Sequence, residues 1–232
     1  MTAFVLVHSP LVGPATCAPL AAELRSRGHR VILPSLLGTL TGGPGWVGPQ
    51  VRAVRAAVDA AGDGGPFVLV AHSGAGPLCP AIGAALGGAR AYLFLDAAPP
   101  RPGRSWWDVA PESLVAHLES MAVGGWLPPW NEWFPEEDMT VELPDPAVRR
   151  AVQSELERLP LGMFAEPAPD IPGWPDAPCG YLRLAPAYDD FLADARSRGW
   201  RTASLDAHHL SPAADPVAVA DAVLGLLGSA GD

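Results

Sequence analysis

Lysine is absent from this chain. Its 15 basic residues are all arginine and face 25 acidic ones, for a formal charge of -10. Binding to duplex phosphates needs clustered cations, and no stretch supplies them, so no nucleic-acid partner is expected. Cysteine is scarce as well. Cys17, Cys79 and Cys179 cannot all pair with one another and none lies in a Cys-x-x-Cys, so buried free thiols are expected. No apolar run approaches the length of a membrane span. The N-terminus enters Phe4-Val5-Leu6-Val7 without a basic region or a cleavage site, which predicts a cytoplasmic protein with no signal peptide. No histidine accompanies the densest acidic run, so neither a metal nor another cofactor is expected.

What is present is a chain 49% apolar and only 17% charged, which suits a packed core. Short apolar runs alternate with Ala-rich helical stretches, the pattern of an α/β fold with a mostly parallel sheet covered by helices on both faces. Phe4–Val7, Arg30–Leu33, Phe67–Val70, Ala91–Leu95, Tyr181–Leu184 and Thr202–Leu205 read as strands. Pro19–Arg27, Gln50–Ala60, Gly76–Leu86, Ala187–Arg198 and Val217–Leu227 read as helices.

The alternation breaks between residues 99 and 178. This Pro- and Trp-rich stretch, with short helices predicted at Glu112–Met121 and Ala147–Leu159, reads as an insertion into a core made of 1–98 and 179–232. It holds six of the eight tryptophans: Trp106, Trp107, Trp126, Trp130, Trp133 and Trp174.

Chemistry is most legible where Phe67–Val70 runs into Ala71-His72-Ser73-Gly74-Ala75-Gly76 and then a helix. A serine on a tight strand-to-helix turn takes up a strained backbone, so the residues two before and two after must be small. Here both are alanine. The hydroxyl then projects above the sheet, with a helix N-terminus favouring negative charge behind it. Ser73 is the expected nucleophile. His72 is expected to point away from it and to serve the structure.

With the opening Phe-Val-Leu-Val-His, the Gly-His-Arg-Val-Ile-Leu-Pro stretch and a closing His-x-x-x-x-x-x-Pro, the chain resembles the α/β-hydrolase superfamily over nearly its whole length. It is most similar to the small branch holding plant methylesterases, hydroxynitrile lyases and bacterial esterases. The resemblance implies a catalytic histidine after the last strand, often followed seven residues later by a proline. Pro216 therefore selects His209 over His208. It also implies an orienting carboxylate after the preceding strand, which points to Asp189. Asp190, and Asp96 from the earlier strand, are the alternatives. The oxyanion hole is expected from the Gly74 N–H and the loop after the first strand. There the usual donor position is Pro10, which has no N–H. The Ser9 hydroxyl and a re-aimed Leu11 N–H are the two ways to complete it; an incomplete hole is the third possibility.

An insertion at this point normally roofs the site in this superfamily, so Trp106, Trp126 and Trp130 are expected to line a pocket for an apolar or aromatic small molecule. The function expected is a cofactor-free serine hydrolase acting on an ester, thioester or lactone, with no membrane partner and with a homodimer left open. The alternative is a lyase, cyclase or dehydratase of specialised metabolism in which His209 is the general acid–base. A non-catalytic small-molecule receptor is a third use of the same pocket.

Overall fold

A computed structural model describes residues 2–62 and 65–228. Strands β1 (Ala3–Val7), β2 (Arg30–Ile32), β3 (Phe67–His72), β4 (Ala91–Leu95), β7 (Cys179–Arg183) and β8 (Arg201–Ser204) form one six-stranded sheet, ordered β2-β1-β3-β4-β7-β8. Every pairing in it is parallel. All six residues of β3 are buried, as a strand covered on both faces requires.

Alternation along each strand sorts the core into two layers. Val5, Val7, Leu69, Ala71, Tyr92 and Phe94 pack beneath α2 (Val47–Ala60), α3 (Cys79–Leu86) and α7 (Asp189–Ser197), through Val54, Val58, Ile82, Leu192 and Ala195. Phe4, Leu6, Val68, Val70, Leu93 and Leu95 meet the other pair of helices, α1 (Ala18–Ser26) and α9 (Pro216–Gly228), through Leu20, Leu24, Val219 and Val223. Cys17, Cys79 and Cys179 are free and buried in these layers.

Strand and helix positions agree with the sequence pattern to within a few residues at most ends. Two differences have local causes. The helix expected from Gly76 begins as a tight 3-10 turn, Ser73–Leu78, that contains Pro77 and passes into α3 only at Cys79. The helix expected over Ala147–Leu159 stops at Gln153, because Leu159–Pro160 is taken up as a strand.

Between β4 and β7 the chain forms α4 (Glu112–Met121), β5 (Trp126–Leu127), α5 (Glu136–Glu142), α6 (Pro146–Gln153) and β6 (Leu159–Pro160), with β5 and β6 antiparallel. Large rings fill the space that short helices leave. Leu118, Leu127, Trp133, Leu159 and Phe164 cluster with Leu40 and Trp46 from the segment before α2. Met139, Leu143 and Val152 close against Leu210 and Ala213, the latter in α8 (Ser211–Ala214).

Polar ties reinforce this seam. Glu155 accepts from the Ala15 N–H at 2.7 Å, Glu157 from Gly38 at 3.0 Å, and Glu166 from Trp46 and Val47 at 2.7 and 3.2 Å. The last of these sits on the N-terminus of α2, where the helix dipole favours an anion. Among the described residues no helix is long and apolar enough to cross a membrane.

The turn after β3 leaves no room at Gly76, where a Cβ would lie 2.1 Å from the Ala98 carbonyl oxygen, whereas one at Gly42 would meet nothing within 4 Å. Gly76→Ala should therefore lower stability by about 1–3 kcal/mol through overpacking, and Gly42→Ala should stay within about 0.5 kcal/mol of the parent. Urea unfolding of both variants checks this; an unshifted midpoint for Gly76→Ala contradicts the tight packing.

Candidate active site

Ser73 stands at the carboxyl end of β3 with φ 57°, a left-handed backbone that costs a non-glycine residue roughly 1–3 kcal/mol. Only one other described non-glycine residue has positive φ: Asp96, at 39°, directly after β4. These two residues lie in one hydrogen-bonded chain. His209 Nε2 is 3.0 Å from Ser73 Oγ, and His209 Nδ1 is 3.2 Å from Asp96 Oδ2. Asp96 is fully buried. Its Oδ1 accepts from the Leu184 N–H at 2.6 Å and its Oδ2 from the Ala185 N–H at 2.9 Å, so backbone from the end of β7 fixes the carboxylate. With Nδ1–H directed to Asp96, Nε2 is free to accept from Ser73.

Asp189, the carboxylate expected to orient His209, does not reach it. It is the first residue of α7 and is exposed, and it pairs with Arg183 Nε at 2.8 Å. An acid in the first helical turn is stabilised by the dipole and by that arginine, which accounts for its position. Asp190 is exposed in the same turn. Asp96 takes the place beside His209. His208 is exposed, with its backbone N–H donating to Ser211 Oγ at 2.9 Å.

The loop carrying His209 is held from three directions. His72 Nε2–H donates to the His209 carbonyl at 2.9 Å, the Leu210 N–H donates to Glu142 at 2.8 Å, and Ser211 binds the loop from within. The His209 ring lies between two others. His72 stacks on one neighbouring position with centroids 4.7 Å apart, and Tyr188 is nearly parallel to it at 4.7 Å and 7°. The Tyr188 hydroxyl is 3.3 Å from His209 Nε2. Nothing in the sequence marked Tyr188 or Glu142. Burial of His72, and next the nearby His209, push its pKa down to about 3, so it is neutral. His72 is therefore structural, yet it works directly on the imidazole.

His8 supports the loop after β1. Its Nδ1–H donates to the Ser9 carbonyl at 2.8 Å and its Nε2 accepts from Leu36 at 3.0 Å. Burial lowers its pKa to about 4, offset in part by its backbone bonds to Ser9 and Val12. Leu11 does not turn its N–H freely inward: it donates to Ser9 Oγ at 3.3 Å. That oxygen lies 2.9 Å from the point where a Gly74 Cβ would be. The Ser9 hydroxyl thus stands beside the first amides of the turn, which have no partner within a helix.

Above Ser73 opens a cavity of about 380 Å³, bounded by Ser73, Gly74, Pro10, Leu11 and His209 on one side. Trp46, Trp106, Trp130, Trp133, Met163 and Phe164 line the rest. One expectation about the tryptophans changes. Trp126 is not in the lining, because β5 pairs it against Pro160. Trp174 packs with Tyr92 and Trp200 in the core, at 5.7 and 6.3 Å. Trp46, from outside the 99–178 segment, joins the wall instead. Among the described residues no group of His, Cys, Asp and Glu has the arrangement of a metal site.

A family model described as the alpha/beta hydrolase family matches residues 4–222. No curated protein matches the chain. Solved structures share the fold at low identity. An extracellular alpha/beta-hydrolase from a Paenibacillus species has a TM-score of 0.76 and 17% identity, over 97% of this chain and 99% of that one. A pyrethroid hydrolase from Sphingobium faniae has a TM-score of 0.73 and 19% identity, over 99% and 98%. A methylesterase from Arabidopsis has a TM-score of 0.72 and 16% identity, over 98% and 99%.

Two neutral buried histidines make stability depend on pH. The unfolded chain binds their protons at the ordinary value of 6.5, while the folded state holds His8 near 4 and His72 near 3. Their stabilisation is complete above about pH 6.5 and is lost as pH falls, at about 1.4 kcal/mol per unit for each. Urea unfolding between about pH 6.5 and 5 should show a fall of about 3 kcal/mol from these two groups, and His8→Gln should remove about half of it. A flat profile would contradict neutral burial.

Proposed function

The chain belongs to the alpha/beta hydrolase family, and within it we propose a cofactor-independent serine hydrolase acting on an ester, thioester or lactone bond of a small apolar molecule. The observation that carries this is the unbroken chain from Ser73 through His209 to Asp96 at 3.0 and 3.2 Å. His209 Nε2 takes the Ser73 proton as Oγ bonds to the substrate carbonyl carbon. Asp96 stabilises the imidazolium and holds its tautomer. The carbonyl oxygen, now negative, is received by the Gly74 N–H and the Ser9 hydroxyl. His209 returns its proton to the departing oxygen or sulfur, leaving an acyl-enzyme. Water then repeats the sequence and releases the acid.

Supporting the Ser9 assignment are its burial and the Leu11 N–H bond, which occupies a lone pair and leaves its hydrogen to donate. A hydroxyl in this role offsets Pro10 and supports the hydrolase reading, although the same hydroxyl also occurs in the resembling hydroxynitrile lyases. The apolar walls of Trp106, Trp130, Trp133 and Phe164 support an apolar or aromatic substrate. Three unpaired thiols support a cytoplasmic setting.

Ser73→Ala should abolish labelling by a fluorophosphonate and lower ester turnover on the order of 10⁶-fold, as loss of the nucleophile does in a serine protease. Asp96→Asn should cost on the order of 10⁴-fold in kcat, while Asp189→Asn should retain turnover within a few-fold. Ester hydrolysis assays on the three variants decide the matter. Retained activity in Ser73→Ala, or a larger loss at Asp189 than at Asp96, overturns the assignment.

A further inference from the structure

The mechanism above uses one hydroxyl beside His209 Nε2, but two are present. Tyr188 ends the short 3-10 turn Pro186–Tyr188 after β7, and lines the cavity together with Ser73 and His209. Its ring lies parallel to the imidazole, and its oxygen is 3.3 Å from Nε2, on the atom that shuttles the proton. Burial, and next the Asp96 charge, push its pKa well above the ordinary phenol range, so it remains a neutral donor. Nε2 has a single lone pair, which the Ser73 hydroxyl occupies in the resting enzyme. The Tyr188 O–H is hydrogen-bonded to the Ser73 hydroxyl at rest, and it is freed for another acceptor at the same spot once that oxygen bonds to the substrate carbon.

Sheet order decides which acceptor. Ser9 follows β1 and Tyr188 follows β7, and these strands flank β3 on opposite sides. Donors from the β1 side face one vertex of a tetrahedral centre on Ser73. Tyr188 faces the vertex on the His209 side, where the leaving group departs. Building on the hydrolase mechanism, we infer that Tyr188 is a catalytic hydrogen-bond donor to the leaving-group oxygen, 3.3 Å from the His209 nitrogen that protonates it. The atoms balance without Tyr188 losing its proton. The carbon–oxygen bond breaks, the electron pair goes to the leaving oxygen, His209 Nε2–H supplies the proton, and the phenol O–H only shares its hydrogen while negative charge builds.

A donor of this kind matters in proportion to the charge that the leaving oxygen must carry. Methyl and 4-nitrophenyl esters of one apolar acid separate this from a purely structural role for the stack. Tyr188→Phe keeps the ring and removes the donor. It should lower kcat/KM for the methyl ester about 10- to 100-fold and for the 4-nitrophenyl ester by less than about threefold, because nitrophenolate needs no such help. Replacing Tyr188 with 3-fluorotyrosine keeps the ring and strengthens the donor. The ratio of methyl to nitrophenyl turnover should then rise, opposite to its fall in Tyr188→Phe. Thermal melting of both variants reports on folding independently. Equal losses on the two esters, or no loss on either, overturn the role of Tyr188. If the unaltered enzyme hydrolyses neither ester nor reacts with a fluorophosphonate, the hydrolase assignment itself fails, and this inference with it.

Discussion

The carboxylate of Asp96 is the point at which the sheet and the site are joined. It sits at zero exposure with a left-handed backbone, and it meets donors from two other parts of the chain: two amides at the end of β7 and the imidazole of His209. An isolated buried charge is very costly, but one bound to three donors is tolerated and becomes rigid. Removing any donor would leave the others holding an under-satisfied anion. This gives the geometry its precision: β4, β7 and the loop after β8 must all be in place before Asp96 can be buried. Once they are, His209 has one favoured orientation.

The absence of lysine has a structural counterpart. Several glutamates of the 99–178 segment, which in another protein would pair with lysines, bind backbone N–H groups of the core instead. Glu142, Glu155, Glu157 and Glu166 reach Leu210, Ala15, Gly38 and Trp46–Val47. Bonds from amides to a carboxylate are charge-assisted and directional, unlike exposed ion pairs, which contribute little. The seam over the cavity is therefore fixed at defined backbone points. Glu142 does this one residue away from the His209 imidazole, so docking of α5 and placement of His209 are parts of the same contact.

Much of this was legible before any coordinates. The all-apolar run ending in Ala71-His72-Ser73 identifies a buried central strand and its turn, because side-chain size there is dictated by sterics. Pro216 selected His209 only through the resemblance, which places a proline seven residues after the corresponding histidine. The carboxylate was not legible in the same way. Asp96 and Asp189 both follow a strand, and sequence carries only a faint sign of which one is turned inward. The difference lies in a backbone φ and in two amide bonds from residues almost ninety positions away. A hint did exist: Asp96 directly ends a five-residue strand buried throughout, whereas Asp189 lies six residues from an arginine that neutralises it. The pocket shows the same limit. Trp46 enters it and Trp126 leaves it through pairing and packing across the chain, which no local pattern records.

The stack around His209 follows from an electrostatic requirement. In the mechanism proposed above, an imidazole that gains a proton in each half-reaction needs neighbours that restrain its ring without adding positive charge. His72 meets this because burial keeps it neutral, and its Nε2–H anchors the His209 carbonyl while its face covers the ring. A protonated neighbour in the same place would oppose imidazolium formation directly; a lysine or arginine there would do so at every pH. Tyr188 meets the same requirement with a phenol that stays neutral. Among the described residues Asp96 then remains the one anion hydrogen-bonded to the ring, so a positive charge formed in the proposed mechanism would be met on the Nδ1 side, leaving Nε2 to exchange protons with Ser73 and the substrate.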